Sequence, residues 1–342
     1  MTARHRSRRR ELVESIAQGA VLLSDDGQVF AINDVARELL AIPADARART
    51  AEEVLTHPAL AEAVDDVRDT GQPVTLEIDR ADAQLRINVS MLRDEVLVLI
   101  TDRTEEHRVD ELRRDFVVNA SHELKTPVTS IQALAEALSV VCHEQPERVP
   151  ELVGQLADEA ERLAALVHDL LDLRRLEERG PLELARIDLA ELVRRVVANQ
   201  VNRAEALEVE LVVEAPSELE VTGVVGDLEV VVRNLVRNAL TYNRAGGTVE
   251  VRLHALDEDD AVELVVADTG MGIDSADLPR IFERFYRVDP ARSRDTGGTG
   301  LGLSIVRHAV ENLGGSVEVA SQLGDGTSFT VRLPRGRGEA PR

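Results

Sequence analysis

Residues Phe116-Val117-Val118-Asn119-Ala120-Ser121-His122-Glu123-Leu124-Lys125-Thr126-Pro127 set a histidine, a carboxylate and a hydroxyl close together on one amphipathic helix. At about 100° per residue, the apolar seam takes Phe116, Ala120, Leu124 and Pro127, and His122 falls on the far side. Asn119, Glu123 and Thr126 are its helical neighbours. An isolated exposed histidine is ordinary surface. Here a carboxylate follows at once, a hydroxyl lies one turn on, and Pro127 removes a backbone hydrogen bond and permits a bend just beyond. A neutral imidazole is a good nucleophile near neutrality. Glu123 is placed to accept a hydrogen bond from one ring nitrogen, leaving the other to attack.

The seam extends along the chain in both directions. Apolar residues recur at Val109, Leu112, Phe116, Ala120, Leu124, Ile131, Leu134, Leu138 and Val141, and again at Leu152, Leu156, Ala160, Leu163, Val167 and Leu170. Steps of three and four residues predict two long helices, separated over His143 to Pro150 by two prolines. Two helices cannot enclose a core. Two such hairpins can, so an antiparallel four-helix bundle with two helices per subunit is expected, and hence a homodimer.

Around this segment the 342 residues fall into further regions. Residues 11–102 mix short alternating strands with brief helices: a hairpin over Ala20 to Asn33 turning at Asp25-Asp26-Gly27, then strands Val74 to Ile78, Leu85 to Met91 and Glu95 to Ile100. Residues 103–180 are the helical pair, 185–334 alternate strands and helices, and 335–342 read as a frayed tail. Residues 1–10 are basic (Arg4, His5, Arg6, Arg8, Arg9, Arg10), and two readings of them stand: a solvated tail, or a juxtamembrane segment beside a membrane anchor absent from this chain. A formal net charge of -23 argues against nucleic-acid partners. Cys142 is the one cysteine, which excludes an intrachain disulfide or a cysteine-based zinc site and fits a reducing cytoplasm. No stretch reaches the roughly 18 consecutive apolar residues of a spanning helix.

Four motifs follow in the α/β region. Asn234-Leu235-Val236-Arg237-Asn238-Ala239 lies on a helix predicted from about Leu228 to Tyr242, with two amides one turn apart whose oxygens suit Mg²⁺. Asp268-Thr269-Gly270-Met271-Gly272-Ile273 ends a strand over Val262 to Ala267. Its carboxylate is the acceptor that an exocyclic adenine amine requires, and Gly270 and Gly272 allow the backbone close to a base. Phe282-Glu283-Arg284-Phe285-Tyr286-Arg287 is third. Gly297-Gly298-Thr299-Gly300-Leu301-Gly302-Leu303 runs into a helix from about Ser304 to Leu313, where backbone N–H donors and the dipole favour phosphate oxygens. Asp289 to Thr296, with Arg292 and Arg294, reads as a mobile lid. No strand leads directly into the glycines and no Gly-Lys-Ser/Thr follows, so this is neither a Rossmann nor a Walker loop.

Ser121 to Pro127 resembles the H box of sensor histidine kinases, most closely the group that includes phosphate-responsive sensors, and the later motifs resemble the family's N box, D-x-G-x-G motif, F box and glycine-rich box, in order. The resemblance covers about Arg103 to Leu333. It implies His122 as phosphoacceptor, Glu123 as its base, and Thr126 as the residue that orients water when such proteins dephosphorylate their partners. It also implies Asn238 on Mg²⁺, Tyr242 in the adenine wall and Arg287 near the transferred phosphate. Asn234, Asp268, Gly270, Gly272, Arg292, Arg294, Gly298, Thr299, Gly300, Leu301 and Gly302 complete the expected ATP site. Thr241 departs from the family, which often has Lys or Arg there, and so offers no phosphate contact of that kind.

Gly27-Gln28-Val29-Phe30-Ala31-Ile32-Asn33 with Ala36 to Leu40 resembles the opening of PAS sensor domains. With no cysteine there and His57 beside Pro58, a relay without a cofactor is the preferred reading. The implied fold class is α+β multidomain: a PAS-like α/β domain, the dimeric bundle, and a C-terminal α/β sandwich ATP-binding domain of the GHKL (Bergerat) type, shared with DNA gyrase and the mismatch-repair ATPases. The implied activity is ATP-dependent autophosphorylation followed by transfer to an aspartate on the receiver domain of a cognate response regulator. Phosphatase output through Thr126 and a silent ATP-binding scaffold are the alternatives. An ATPase or anti-sigma kinase with the same nucleotide fold would lack the His122 helix pair. The expected location is the cytoplasm, or the cytoplasmic portion of an inner-membrane sensor.

Overall fold

The alternating apolar residues of the N-terminal region form strands β1 (Gly19–Leu23), β2 (Val29–Ile32), β3 (Val74–Asp79), β4 (Gln84–Leu92) and β5 (Glu95–Asp102). Helices α1 (Asp34–Leu40), α2 (Ala51–Val54) and α3 (Pro58–Thr70) are inserted between β2 and β3. The computed structural model describes residues 10–24, 26–42, 49–80, 83–178, 184–256, 260–288 and 298–336. Two compact units are present, Met1–Val117 and Val118–Arg342.

In the first unit the sheet order is β2-β1-β5-β4-β3, antiparallel throughout. Period-two geometry sends Val96, Val98 and Ile100 into a core with Leu60, Val64 and Val67 of α3. Leu97 and Leu99 point to the other face, beside Val13, Ala20, Leu22 and Ala31. Buried Asn33 joins strand to helix: its Oδ1 accepts from Ala36 N and Ala20 N, both at 2.9 Å, and its Nδ2 donates to the carbonyls of Ile16 and Gln18. The expected hairpin is present as the β1–β2 pair; Asp25 of its turn lies outside the described residues.

Helix α4 (Thr104–Glu144) is 41 residues long, and its portion from Val118 belongs to the second unit. It runs unbroken through Pro127. The missing N–H costs one bond to the Glu123 carbonyl, while the hydroxyls of Thr126 and Thr129 bond back to the carbonyls of His122 (3.2 Å) and Lys125 (2.9 Å). A 3₁₀ turn at Pro146–Arg148 leads into α5 (Val149–Glu177), where Pro150 sits in the first turn and its lost donor matters little. Seam residues Val109 and Leu112 have side chains outside the described set.

The rest of the second unit is an α/β sandwich. Its elements are β6 (Ala185–Asp188), α6 (Leu189–Ala198), α7 (Val201–Ala206), β7 (Glu210–Glu214), β8 (Glu220–Gly223), α8 (Val225–Thr241), β9 (Thr248–Leu256), β10 (Ala261–Asp268), α9 (Gly302–Asn312), β11 (Ser316–Gln322) and β12 (Gly326–Pro334). The main sheet has the order β11-β12-β10-β9-β7, with β7 parallel to β9 and the other pairs antiparallel, and β6 pairs with β8. Helices α6, α8 and α9 make the second layer. Val249, Val251 and Leu253 of β9 alternate inward with Val262, Leu264 and Val266 of β10 and Phe329, Val331 and Leu333 of β12.

Candidate active site

Strand β10 ends on Asp268, whose carboxyl Oδ1 accepts from Gly270 N at 2.8 Å and Thr327 N at 3.3 Å. Both donors fall on Oδ1, and none among the described residues falls on Oδ2. Burial pushes this carboxyl above the ordinary aspartate range, against the pull of the two N–H groups. Gly272 has φ +68, and a Cβ there would meet the Gln322 carbonyl oxygen at 2.0 Å, so only glycine fits. Asp268, Gly272 and Thr327, with Asn238, Tyr242, Ile273, Leu303 and Phe329, line a largely apolar pocket of about 290 Å³, whereas Gly270, expected at the ligand, lines neither this pocket nor the cavity beside it and instead holds Asp268 through its N–H.

That pocket adjoins a polar cavity of about 920 Å³, lined on one side by Asn238, Tyr242, Arg287, Gly298, Thr299, Gly300 and Gly302. Asn238, Tyr242 and Arg287 line both. Gly300 has φ +71 and gives its carbonyl to Phe285 N at 2.9 Å, so the glycine loop and the Phe282–Arg287 segment brace each other. The two amides of α8 part company here. Asn238 lines the cavity, and its side chain makes no hydrogen bond among the described residues. Asn234 is fully buried, donates to the Val230 carbonyl at 2.9 Å and accepts from Arg237 Nη2 at 2.7 Å. Asn234 therefore lines neither cavity, contrary to its expected place among the ligand-facing residues. One helical turn separates the two, but the helix meets the core at the first and the opening at the second.

The opposite side of the polar cavity is helical: Ser130, Ala133 and Leu134 of α4, and Asp158, Glu161 and Ala165 of α5. His122 is exposed on α4, Glu123 half-buried beside it, and Thr126 exposed one turn on. Arg287 Nη1 lies 3.7 Å from Glu123 Oε2, which brings the end of the Phe282–Arg287 segment to the carboxylate next to His122.

Helix α5 also clasps the α/β layer directly. Asp169, 1% exposed, accepts from Thr299 Oγ1 at 2.6 Å and from Arg237 Nη2 at 3.1 Å. Arg175 pairs with Asp227 at 3.1 Å, Arg233 with Asp172, and Asn312 donates to the Leu176 carbonyl. Thr299 thus bonds to the helix, and Leu301, fully buried, belongs to the core; neither side chain faces the cavity as a ligand contact, though Thr299 lines it. Arg292 and Arg294 lie outside the described residues, as does the lid over Asp289 to Thr296. The role of Asp169 was missed at the level of sequence. Its signal is there: Leu166, Asp169, Leu173 and Leu176 step by three and four residues, so a carboxylate sits on a buried stripe.

Residues 112–179 match the family described as the His Kinase A (phospho-acceptor) domain, and residues 223–337 the family of histidine kinase-, DNA gyrase B- and HSP90-like ATPases. The chain is 37% identical over 287 residues to the sensor-like histidine kinase SenX3 of Mycolicibacterium smegmatis, covering 80% of this chain and 74% of that one. It is 30% identical over 345 residues to the sensor histidine kinase WalK of Bacillus subtilis, covering 98% of this chain and little over half, 56%, of WalK. Among solved structures it is similar in fold to histidine kinase ThkA in complex with response regulator protein TrrA, with a TM-score of 0.52, 19% identity, and coverage of 95% of this chain and 98% of that one.

Proposed function

Because the chain belongs to the sensor histidine kinases of two-component systems, we propose that His122 is the residue it phosphorylates from ATP and from which the phosphoryl group passes to a response regulator. One observation carries the assignment. The polar cavity that continues from Asp268 is walled by α4, which presents His122, and by α5, and Arg287 of the α/β layer already reaches Glu123.

The apolar pocket takes adenine, with the Asp268 carboxylate accepting from its amine, and the polar cavity takes the phosphates. The unprotonated ring nitrogen of His122 attacks the γ-phosphorus in line. An N–P bond forms as the bond to the β,γ-bridging oxygen breaks, ADP leaves, and Glu123 accepts the proton from the other ring nitrogen. In this structure Arg287 holds Glu123. Releasing that carboxylate and turning the guanidinium to the phosphate couples nucleotide arrival to base activation. The Asn238 amide, uncommitted and facing the cavity, fits a hard cation; Mg²⁺ bound there would neutralise phosphate charge. The acceptor of the second step is a carboxylate of the partner's receiver domain, which attacks phosphohistidine and returns the imidazole.

Thr126 supports a reverse activity toward the phosphorylated partner, since its hydroxyl is exposed one turn from His122. The antiparallel sheet with helices inserted between β2 and β3 supports the PAS-like reading of residues 11–102. Apolar side chains left exposed on α4 and α5, Val117, Val118, Val153 and Val167 among them, support the homodimeric bundle. No described helix is long and apolar enough to cross a membrane; a cytoplasmic site of action, beside a membrane anchor elsewhere in the protein or without one, fits a chain whose one cysteine, Cys142, is an exposed free thiol.

The test is labelling from γ-labelled ATP. His122→Gln should abolish acid-labile label, whereas Thr126→Ala should keep it and slow dephosphorylation of the partner. Label persisting on another residue of the His122 variant would sink the assignment.

A further inference from the structure

Four guanidinium groups line the polar cavity among the described residues: Arg162, Arg203, Arg237 and Arg287. Three stand beside carboxylates. Arg162 lies 3.9 Å from Glu159, Arg237 lies 3.1 Å from Asp169, and Arg287 lies 3.7 Å from Glu123. Arg203 differs. It extends from α7 to the end of α8, where Nη2 donates to the Thr241 hydroxyl at 3.2 Å, and no described carboxylate pairs with it. Thr241 is one turn from Asn238, so this guanidinium stands in the cavity wall next to the amide assigned to the metal.

Its surroundings leave the charge poorly compensated. Arg203 is exposed to solvent at its outer side; desolvation toward the cavity and the neighbouring Arg237 push its pKa down, with Glu161 across the cavity pulling the other way. An arginine in a protein does not release its proton. The unfavourable interaction therefore persists as repulsion between two cations facing one space, and an entering polyanion relieves it.

We propose that Arg203 binds the polyphosphate chain of the nucleotide, supplying beside Asn238 the cation that the uncharged end of α8 at Thr241 does not. The proposal rests on the nucleotide reading of the cavity. Its chemistry is a charge-assisted hydrogen bond to phosphate oxygen, to which a guanidinium fork is suited. As the α7 helix is separate from the motif-bearing segments, Arg203 makes phosphate affinity depend on how α7 sits against α8.

The experiment is calorimetric titration of the full chain with ATP and, separately, with adenosine, in the presence of Mg²⁺. The proteins are the parent, Arg203→Gln, Arg203→Lys, and Arg203→Gln combined with Thr241→Lys. Loss of one charge-assisted contact should weaken ATP roughly ten- to a hundredfold while adenosine moves less than about twofold. Arg203→Lys should retain most of the affinity, and the added lysine at 241 should recover much of the loss, a gain that a folding defect cannot produce. Unchanged ATP affinity in Arg203→Gln, or equal losses for ATP and adenosine, would overturn the proposal while the nucleotide reading stands. Failure of the parent chain to bind ATP at all would overturn both.

Discussion

Asp268 shows how one residue can be assigned by type and then sharpened by its surroundings. A carboxylate after a strand and before two glycines pointed to an adenine acceptor; burial and the direction of its two N–H donors depended on β12 lying alongside β10. Because burial raises this carboxyl, the ionised acceptor is lost at a higher pH than for an exposed aspartate. Nucleotide affinity should hold at neutral pH and fall as pH drops through the raised value, with onset above the ordinary 3.8. The effect on the empty fold has the opposite sign. A carboxyl whose folded pKa is raised adds stability at low pH, and that contribution is lost as pH rises through the folded value. Asp268→Asn should cost at least about tenfold in nucleotide affinity and remove the acid limb, as binding titrations at several pH values would show. The pair Asn234 and Asn238 teaches the reverse lesson. Two identical side chains on one helical face looked equivalent, and only the buried Val230 carbonyl and Arg237 separated a supporting amide from a cavity-facing one.

Helix α5 is the element with the most to explain, because it carries two apolar stripes. Leu156, Ala160, Leu163, Val167 and Leu170 of the seam read from the sequence are exposed or half-buried in the single chain, whereas Leu152, read with them, is buried and its neighbour Val153 is exposed instead. Leu166, Asp169, Leu173 and Leu176 form a second, buried stripe. Asp169 within it grips Thr299 and Arg237, so the helix behind the phosphoacceptor also positions the glycine loop. Removing one partner of a buried pair leaves the other uncompensated. Asp169→Ala should lower stability of the second unit by roughly 2–3 kcal/mol and speed amide exchange over Gly300 to Ser304. Unchanged exchange there would mean that the loop is held by other contacts. The same helix-scale view explains why Pro127 does not end α4. Pro127 removes a single backbone donor, and a continuous helix on both sides keeps the chain in register.

At the scale of the whole molecule, the half-buried seam of α4 and α5 and the exposed Val153 and Val167 leave apolar surface uncovered among the described residues, which is the physical argument for a dimer. Burying a Val is worth about 1.5 kcal/mol or more. Val153→Glu with Val167→Glu should therefore weaken self-association at least about a hundredfold, read by sedimentation, while ATP binding by the α/β layer persists. A variant that stays dimeric would place the interface elsewhere. The strands, the long helices and the order of the motifs were readable in advance, because periodicity and glycine placement are local properties of the chain; the ATP sandwich was implied by the family resemblance. The family resemblance added the roles of His122, Glu123 and Asn238. What tertiary structure alone decided was which polar groups meet across distance: Arg203 with Thr241, Arg287 with Glu123, and Asp169 with Thr299 and Arg237. Those partners are separated by tens to more than a hundred residues, and no local pattern encodes such a pairing. His122 itself lies on the divide. Its exposure followed from helical periodicity, while the cavity walled by its own helix came into being only when the α/β layer packed on α5.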